Sequence, residues 1–307
     1  MIYVIGHKSP DLDSVAGAIA LADLKNKLSA SNEYVPAIAE DINKETAYIL
    51  EKFGVAVPEK LSDLAGKEVV LVDHNEESQI LDGGREAKIV GVWDHHKIAF
   101  KCDSPIEFRC LPWGSVSTII ARHFFCKDIK LEKSLAAVLL SAVLVDTVIT
   151  KSPTCTDYDK EIIGQLAAAA GIDDWKAFGM EIFKVRGAVS EMSDEDIIKN
   201  DYKDFDFKGG KFGIGQIETV DISDFSSRED ALLAGLDKVR TEGGYHSVVL
   251  FITDIIKEGS LFLVSTSDQA AIEKALGKGL ENGRVYMDGI LSRKKQVVPM
   301  MTEVFDK

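Results

Sequence analysis

Along the first half of the chain, short apolar runs that end abruptly in polar clusters alternate with stretches of helical spacing. Residues 2–6 are an apolar run too short for a helix, and they give way to a polar segment at 7–13. Residues 14–28 carry Val15, Ile19 and Ala22 at helical spacing with small residues between. Residues 69–73 and 89–93 are β-branched runs of the kind buried on both faces of a sheet. Helices are predicted at 44–53, 115–125, 131–146, 157–170 and 175–185. Strands alternating with helices predict an α/β domain with a parallel sheet and helices on both faces. The polar residues that follow such strands then gather at one edge, where open α/β sheets bind ligands.

The pattern changes over residues 186–200. Gly187-Ala-Val-Ser-Glu-Met-Ser-Asp194 is small and polar, and Ser193-Asp-Glu-Asp196 reads as a helix cap and first turn. The boundary is placed here, with a first domain over 1–186, a flexible linker at 187–194 and a second domain over 195–307. In the second domain strands are predicted at 211–220, 246–253 and 260–265, and helices at 228–241 and 268–276. That makes a smaller α+β or α/β domain of about a hundred residues.

Composition narrows the partners. A chain of 307 residues can bury a core large enough for two domains, and 46% hydrophobic with 28% charged residues is ordinary for a soluble globular protein. A net charge of -14 argues against a nucleic-acid backbone or an anionic membrane as the main partner. The four cysteines form no C-x-x-C pair and are expected to be free thiols of a reducing compartment, packed in the interior. No basic leader precedes residues 2–6 and no apolar run reaches membrane-spanning length, so the cytoplasm is the expected location.

Chemistry concentrates where the apolar runs stop. His7, Asp11 and Asp13 lie between the first strand and its helix; a helix cap by Asp13 or Ser14 is the plain alternative. Asp73-His74-Asn75-Glu76 follows the second strand and Asp94-His95-His96 the third, although Asp and Asn are also ordinary at strand-end turns. Asp146 ends an apolar helix, where a carboxylate opposes the helix dipole unless a cation compensates. Together His7, Asp11, Asp13, Asp73, His95 and Asp146 offer oxygen and nitrogen donors that suit two divalent cations. With no cysteine among them, the set favours ions such as Mn²⁺ or Co²⁺ over thiolate-bound Zn²⁺. Far along the second domain, Ser292-Arg293-Lys294-Lys295-Gln296 reads as a solvated basic turn, or as an anion clamp if that domain closes over the metals.

These residues resemble a known family. Asp94-His95-His96 is similar to the signature of the DHH phosphoesterase superfamily, and Gly6-His7-x-x-x-Asp11-x-Asp13 to its first motif. With Asp73-His74-Asn75-Glu76, Asp146-Thr147, Lys151-Ser-Pro-Thr-Cys-Thr156 and Ser292-Arg-Lys-Lys-Gln296, the whole chain resembles a family II inorganic pyrophosphatase. Pro112-Trp113-Gly114-Ser115-Val116-Ser117-Thr118 departs conservatively from the helix start more usual in relatives, and residues 76–88 leave no room for a regulatory nucleotide-binding insert.

The resemblance implies an N-terminal DHH domain and a C-terminal α/β DHH-associated domain. It implies hydrolysis of pyrophosphate to two orthophosphates by a hydroxide bridging two Mn²⁺ or Co²⁺ ions, with Mg²⁺ accompanying the substrate. His7, Asp11, Asp13, Asp73, His95 and Asp146 would be the metal ligands, Asp73 bridging; His96, Lys203, Arg293 and Lys294 would hold the phosphates; Asp94 would orient an imidazole. It further implies a homodimer formed through the first domain, and closure of the two domains about the 187–193 segment. A short-chain exopolyphosphatase would share most of these features. A catalytically silent binding protein would typically have lost a ligand, and all six positions are filled.

Overall fold

The computed structural model describes residues 1–186 and 192–306, the side chains of Arg186 and Lys294 excepted. It divides into two compact units, Met1–Arg186 and Gly187–Lys307. Most of the proposed linker, residues 187–191, lies outside the described residues.

The first unit carries strands β1 (Ile2–Ile5), β2 (Tyr34–Ile38), β3 (Glu59–Lys60), β4 (Glu68–Val72), β5 (Lys88–Asp94) and β6 (Glu107–Cys110). They form one six-stranded parallel sheet in the order β3-β2-β1-β4-β5-β6, so the order reverses between β1 and β4. Its helices are α1 (Leu12–Ser29), α2 (Lys44–Lys52), α3 (Val116–Cys126), α4 (Lys133–Asp146), α5 (Asp157–Ala170) and α6 (Trp175–Arg186). Most of α1 and α4 is buried, which explains why their apolar residues show no narrow stripe.

The six helices pack against one another as one connected group, α1 with α3 and α4, and α4 with α5 and α6. The opposite face is covered by Leu61, Leu64, Ile80, Leu81, Phe100 and Ile106 from irregular segments. The reason lies in the crossovers: β4 to β5 holds only a three-residue 3₁₀ turn (Glu77–Gln79), and β5 to β6 no helix at all. Right-handed crossovers on that side of the reversal cover the second face, and here they do so with irregular segments.

The second unit contains α7 (Asp194–Ile198), β7 (Lys203–Phe207), β8 (Gly210–Thr219), α8 (Glu229–Glu242), β9 (Ser247–Asp254), β10 (Gly259–Thr266), α9 (Gln269–Leu276), β11 (Arg284–Asp288) and α10 (Val298–Phe305). Its sheet runs β11-β10-β9-β8-β7, with β8 and β9 parallel and the other pairs antiparallel. Here both faces are helical: α9 and α10 cover one around Phe251 and Phe262, and α7 and α8 the other around Leu250 and Ile252.

The strands that escape a search for apolar runs are β2, β3, β6, β7 and β11. Of these, β3, β6, β7 and β11 are sheet edges, and β7 (Lys-Asp-Phe-Asp-Phe) alternates polar with apolar. Pro36 is tolerated in β2 because β3 pairs only with Ala37 and Ile38, leaving Pro36 beside an open edge. The cysteines do not pack as expected: all are free, Cys102 and Cys126 exposed and Cys110 and Cys155 half-buried. Among the described residues no helix is long and apolar enough to cross a membrane.

Candidate metal centre

His7 leaves the end of β1 and Asp73 the end of β4, the neighbouring strands at which the sheet order reverses. That is the place where open parallel sheets leave a crevice at their carboxyl ends. β5 brings Asp94 to the same edge, His95 and His96 follow it, and Asp146 is the last residue of α4. Asp11, rather than Asp13 or Ser14, caps α1 by accepting from the Ser14 N–H at 2.9 Å. Asp13 is thereby free for another task. Its Oδ1 accepts from Ser115 Oγ at 2.7 Å and Ser117 N–H at 3.0 Å, and its Oδ2 from Val116 N–H at 2.7 Å, so it sits on the N-terminal turn of α3.

The donors converge. His7 Nε2 lies 3.6 Å from Asp11 Oδ1 and 3.5 Å from Asp73 Oδ2. His95 Nε2 lies 3.2 Å from Asp73 Oδ1 and 4.0 Å from both Asp13 Oδ2 and Asp146 Oδ2. The ligand atoms of His7, Asp11 and Asp73 fall within 4.8 Å of one another, as do those of Asp13, His95 and Asp146, and those of Asp73, His95 and His96. Asp73 therefore turns one carboxylate oxygen to each imidazole. It is buried, its Oδ1 has no hydrogen-bond partner, and its backbone is left-handed at φ 64°. An orphaned buried oxygen on a strained residue between two nitrogen donors fits a divalent cation.

Each imidazole is set as a ligand. His7 donates Nδ1–H to the Lys8 carbonyl at 2.6 Å and His95 to the Trp113 carbonyl at 2.9 Å, so each Nε2 faces the carboxylates and can turn a lone pair to a cation once its proton is lost. Electrostatics show what the cluster lacks. Burial pulls the His7 imidazole down, but hydrogen bonds with Asp11 and Asp73 carry it up to about 11. Burial likewise opposes the rise of His95, which Asp73 and the charge of Asp13 take to about 10. Burial and the neighbouring charge of Asp13 push Asp73 up, and burial with Asp13, Asp73 and Asp11 pushes Asp146 well above the usual carboxylate range. Carboxylates made harder to ionise, beside imidazoles that hold their protons, mark a site short of positive charge.

Asp94 is fully buried and supports His96. Its Oδ1 accepts from His96 Nδ1 at 2.9 Å, His95 N–H at 2.7 Å and His96 N–H at 3.1 Å, and its Oδ2 accepts from the Asn75 amide. Burial works against the charge, but the bonds from His96 and Asn75 hold the carboxyl down at about 2. Asn75 in turn donates to Lys97 O at 3.0 Å and accepts from Ala99 N–H at 2.6 Å, bracing the loop behind the histidines. His96 stays half-exposed, its ring 4.2 Å from that of His95. His74 points away into the protein, donating to Val72 O at 2.9 Å, and burial pushes it down to about 4.

Within the second unit, Ser292 opens a π-helical turn over Arg293–Val297. Gln296 folds back to accept from Leu291 N–H at 2.9 Å and Ser292 N–H at 3.0 Å. Arg293 is 8% exposed; its guanidinium donates to the Asp201 carbonyl and, at 2.8 Å, to the Asp201 carboxylate. Lys203, two residues on, begins the edge strand β7 and is exposed. The side chain of Lys294 lies outside the described part. Two buried residues escape sequence reasoning here, Asn75 in its bracing role and Asp159, whose only local signal is the capping-box spacing Thr156-x-x-Asp159.

Comparison with known proteins matches residues 1–143 to the DHH family N-terminal domain and residues 180–304 to the DHHA2 domain. A Methanocaldococcus jannaschii protein named manganese-dependent inorganic pyrophosphatase is 42% identical over 314 residues, covering 100% of both chains. An Archaeoglobus fulgidus protein assigned the same name is 46% identical over 316 residues, covering 99% of this chain and 98% of that one. A Methanococcus jannaschii crystal structure assigned to the family II inorganic pyrophosphatases superimposes with a TM-score of 0.64 at 42% identity, covering 100% of both chains.

Proposed function

The chain belongs to the manganese-dependent inorganic pyrophosphatases, and on that premise we propose that it hydrolyses inorganic pyrophosphate to two orthophosphates at a pair of divalent cations. The observation that carries the reading is Asp73, a buried carboxylate with one oxygen facing His7 and the other facing His95. In this reading His7 and Asp11 would hold one cation, Asp13, His95 and Asp146 the other, and Asp73 would serve both. Mn²⁺ or Co²⁺ bound there would supply a water acidified to near neutrality and neutralise the substrate's charge, and Mg²⁺ would accompany the pyrophosphate.

The protein's own groups do the rest. Asp94 fixes His96 with Nδ1 as the donor, so its Nε2 is left to meet a phosphate oxygen. The same hydrogen bond raises the His96 imidazole and favours its cationic form beside an anion. Lys203, Arg293 and Lys294 serve as the phosphate clamp, spreading positive charge over the oxygens that gain charge in phosphoryl transfer. For Arg293 this means exchanging its contacts with Asp201 for the substrate. Pyrophosphate is thus the partner, with a homodimer through the first unit supported by the open edge at β6. Free cysteines and the lack of a membrane-crossing helix among the described residues support a cytoplasmic location.

Phosphate release from pyrophosphate and from tripolyphosphate, each with Mn²⁺, Co²⁺ and Mg²⁺, tests the reading. Preference for tripolyphosphate would move the assignment to an exopolyphosphatase. Asp73→Asn is expected to lose at least about a hundredfold in turnover at saturating Mn²⁺, because it removes a shared ligand. Near-normal turnover would remove Asp73 from the bridge.

A further inference from the structure

One turn of chain, residues 113–117 at the start of α3, bonds to two donors of the metal centre and lies against the neighbour of a third. The Trp113 carbonyl takes the proton of His95 Nδ1 at 2.9 Å. Ser115 Oγ, Val116 N–H and Ser117 N–H all donate to Asp13. Gly114 is pressed against the residue that follows Asp146, since a Cβ there would stand 2.7 Å from Thr147 Cγ2. Asp13, His95 and Asp146 are the members of one donor group. Among the described residues, none of the hydrogen bonds of this turn reaches His7, Asp11 or Asp73.

Asp159 holds this turn from behind. It is fully buried on α5, with Oδ2 accepting from Gly114 N–H at 2.9 Å and Oδ1 from Thr118 Oγ1 at 2.6 Å. It also completes the cap of α5, accepting from Thr156 N–H at 2.7 Å and Thr156 Oγ1 at 2.6 Å. Capping α5 needs only the last two bonds and could be done at the surface. Burying a full carboxylate is costly unless all its acceptors are used, and here half of them are spent on α3. A Cβ on Gly114 would also stand 2.9 Å from Asp159 Oδ2, so the approach is as close as a backbone allows.

We propose that Asp159 is a positioning residue for the cation held by Asp13, His95 and Asp146, acting through the first turn of α3 and leaving the cation of His7, Asp11 and Asp73 to its own supports. The inference rests on the two-cation reading above. It makes the two cations separable by substitution at a residue that touches neither. Groups that orient ligands without binding metal typically change affinity by about 10–100-fold.

Mn²⁺ titration of the metal-stripped full-length protein, followed by the EPR signal of free Mn²⁺, tests it without reference to turnover. The wild type should bind two ions. Asp159→Ala, which removes both oxygens that accept from Gly114, Thr118 and Thr156, should weaken one ion by about 10–100-fold and leave the other unchanged. Thr118→Val, close to isosteric, cuts one of the two ties between the start of α3 and Asp159, leaves the Gly114 N–H bond, and should weaken the same ion more mildly; it decides the matter if Asp159→Ala does not fold. Thr156→Ala, which removes the capping hydroxyl but keeps Gly114 and Thr118 on Asp159, should lower the melting temperature without splitting the two ions. Two ions weakening together, or neither weakening in folded Thr118→Val, would overturn the proposal. A wild type that binds a single ion would instead remove the two-cation premise.

Discussion

Replacing Asp94 with asparagine keeps the shape of the side chain and changes only what it can accept. All the groups facing Asp94 are donors: two backbone N–H groups and an imidazole N–H on Oδ1, and the Asn75 amide on Oδ2. An asparagine can serve the Oδ1 side with its carbonyl, but its own amide then meets the Asn75 amide, leaving two buried donors without acceptors. Each buried unsatisfied donor costs about 1–3 kcal/mol, and some of that is relieved by local adjustment, so a loss of about 2–4 kcal/mol is expected. The carboxyl itself points to a similar size: a fall from 3.8 to about 2 corresponds to about 2 kcal/mol of stabilisation of the folded state. Because the folded value is depressed, that stabilisation is fully present above the unfolded value near 4 and fades as pH falls towards 2. Urea unfolding of the metal-stripped wild type and Asp94→Asn at pH 7.5 and pH 3 gives the measurement. The gap between them should be wide at pH 7.5 and narrower at pH 3, with unchanged m values. A gap below about 1 kcal/mol at pH 7.5 would refute the account of Asp94 as a fully committed acceptor.

Other consequences can be checked independently. In the metal-stripped protein His7 and His95 sit at about 11 and about 10, so both carry protons at pH 7.5. Neutral imidazoles are needed as ligands, so Mn²⁺ binding should release about two protons or more, seen by calorimetry in buffers of different ionisation enthalpy, and affinity should rise with pH. Stability due to these raised imidazoles is complete below about 6.5 in the stripped protein and is lost as pH climbs through 10 to 11. Gly6→Ala would set a Cβ 1.9 Å from Ser14 Oγ and 3.2 Å from the Ser14 carbonyl, pushing on the turn that carries His7 and Asp13. It should cost about 1–3 kcal/mol in unfolding free energy and weaken Mn²⁺ binding together with stability. Arg293→Ala should lower thermal stability as well as turnover, by about 1–3 kcal/mol, because the buried guanidinium is bonded to Asp201; a loss of activity alone would show those bonds to be incidental.

Much of the centre is legible locally. His7, Asp73 and His95 stand out because each ends or follows a run too apolar to be surface, and Asp146 because an acid at the end of a buried helix is electrostatically out of place. Edge strands were harder, since β7 and β11 carry the mixed pattern of half-exposed chain rather than a continuous apolar run. Caps were less legible: the spacing pointed to Asp13 or Ser14, whereas Asp11 caps α1 and Asp13 is taken up by the start of α3.

The sequence by itself determined which side chains could bind metal, and that the strands would bring them to one sheet edge, because periodicity and turn chemistry act over a few residues. Only the tertiary structure decided how those donors are shared. Asp13 meets a helix start about a hundred residues away, Asp159 reaches back to the turn that holds His95, Asp94 serves His96, and Arg293 lies on Asp201. It also brought the six helices of the first unit into contact with one another and left two crossovers largely irregular. Each of these is a question of which buried acceptor finds which donor once the chain has closed, and hydrogen-bond partners of that kind are set by long-range packing that no local pattern encodes.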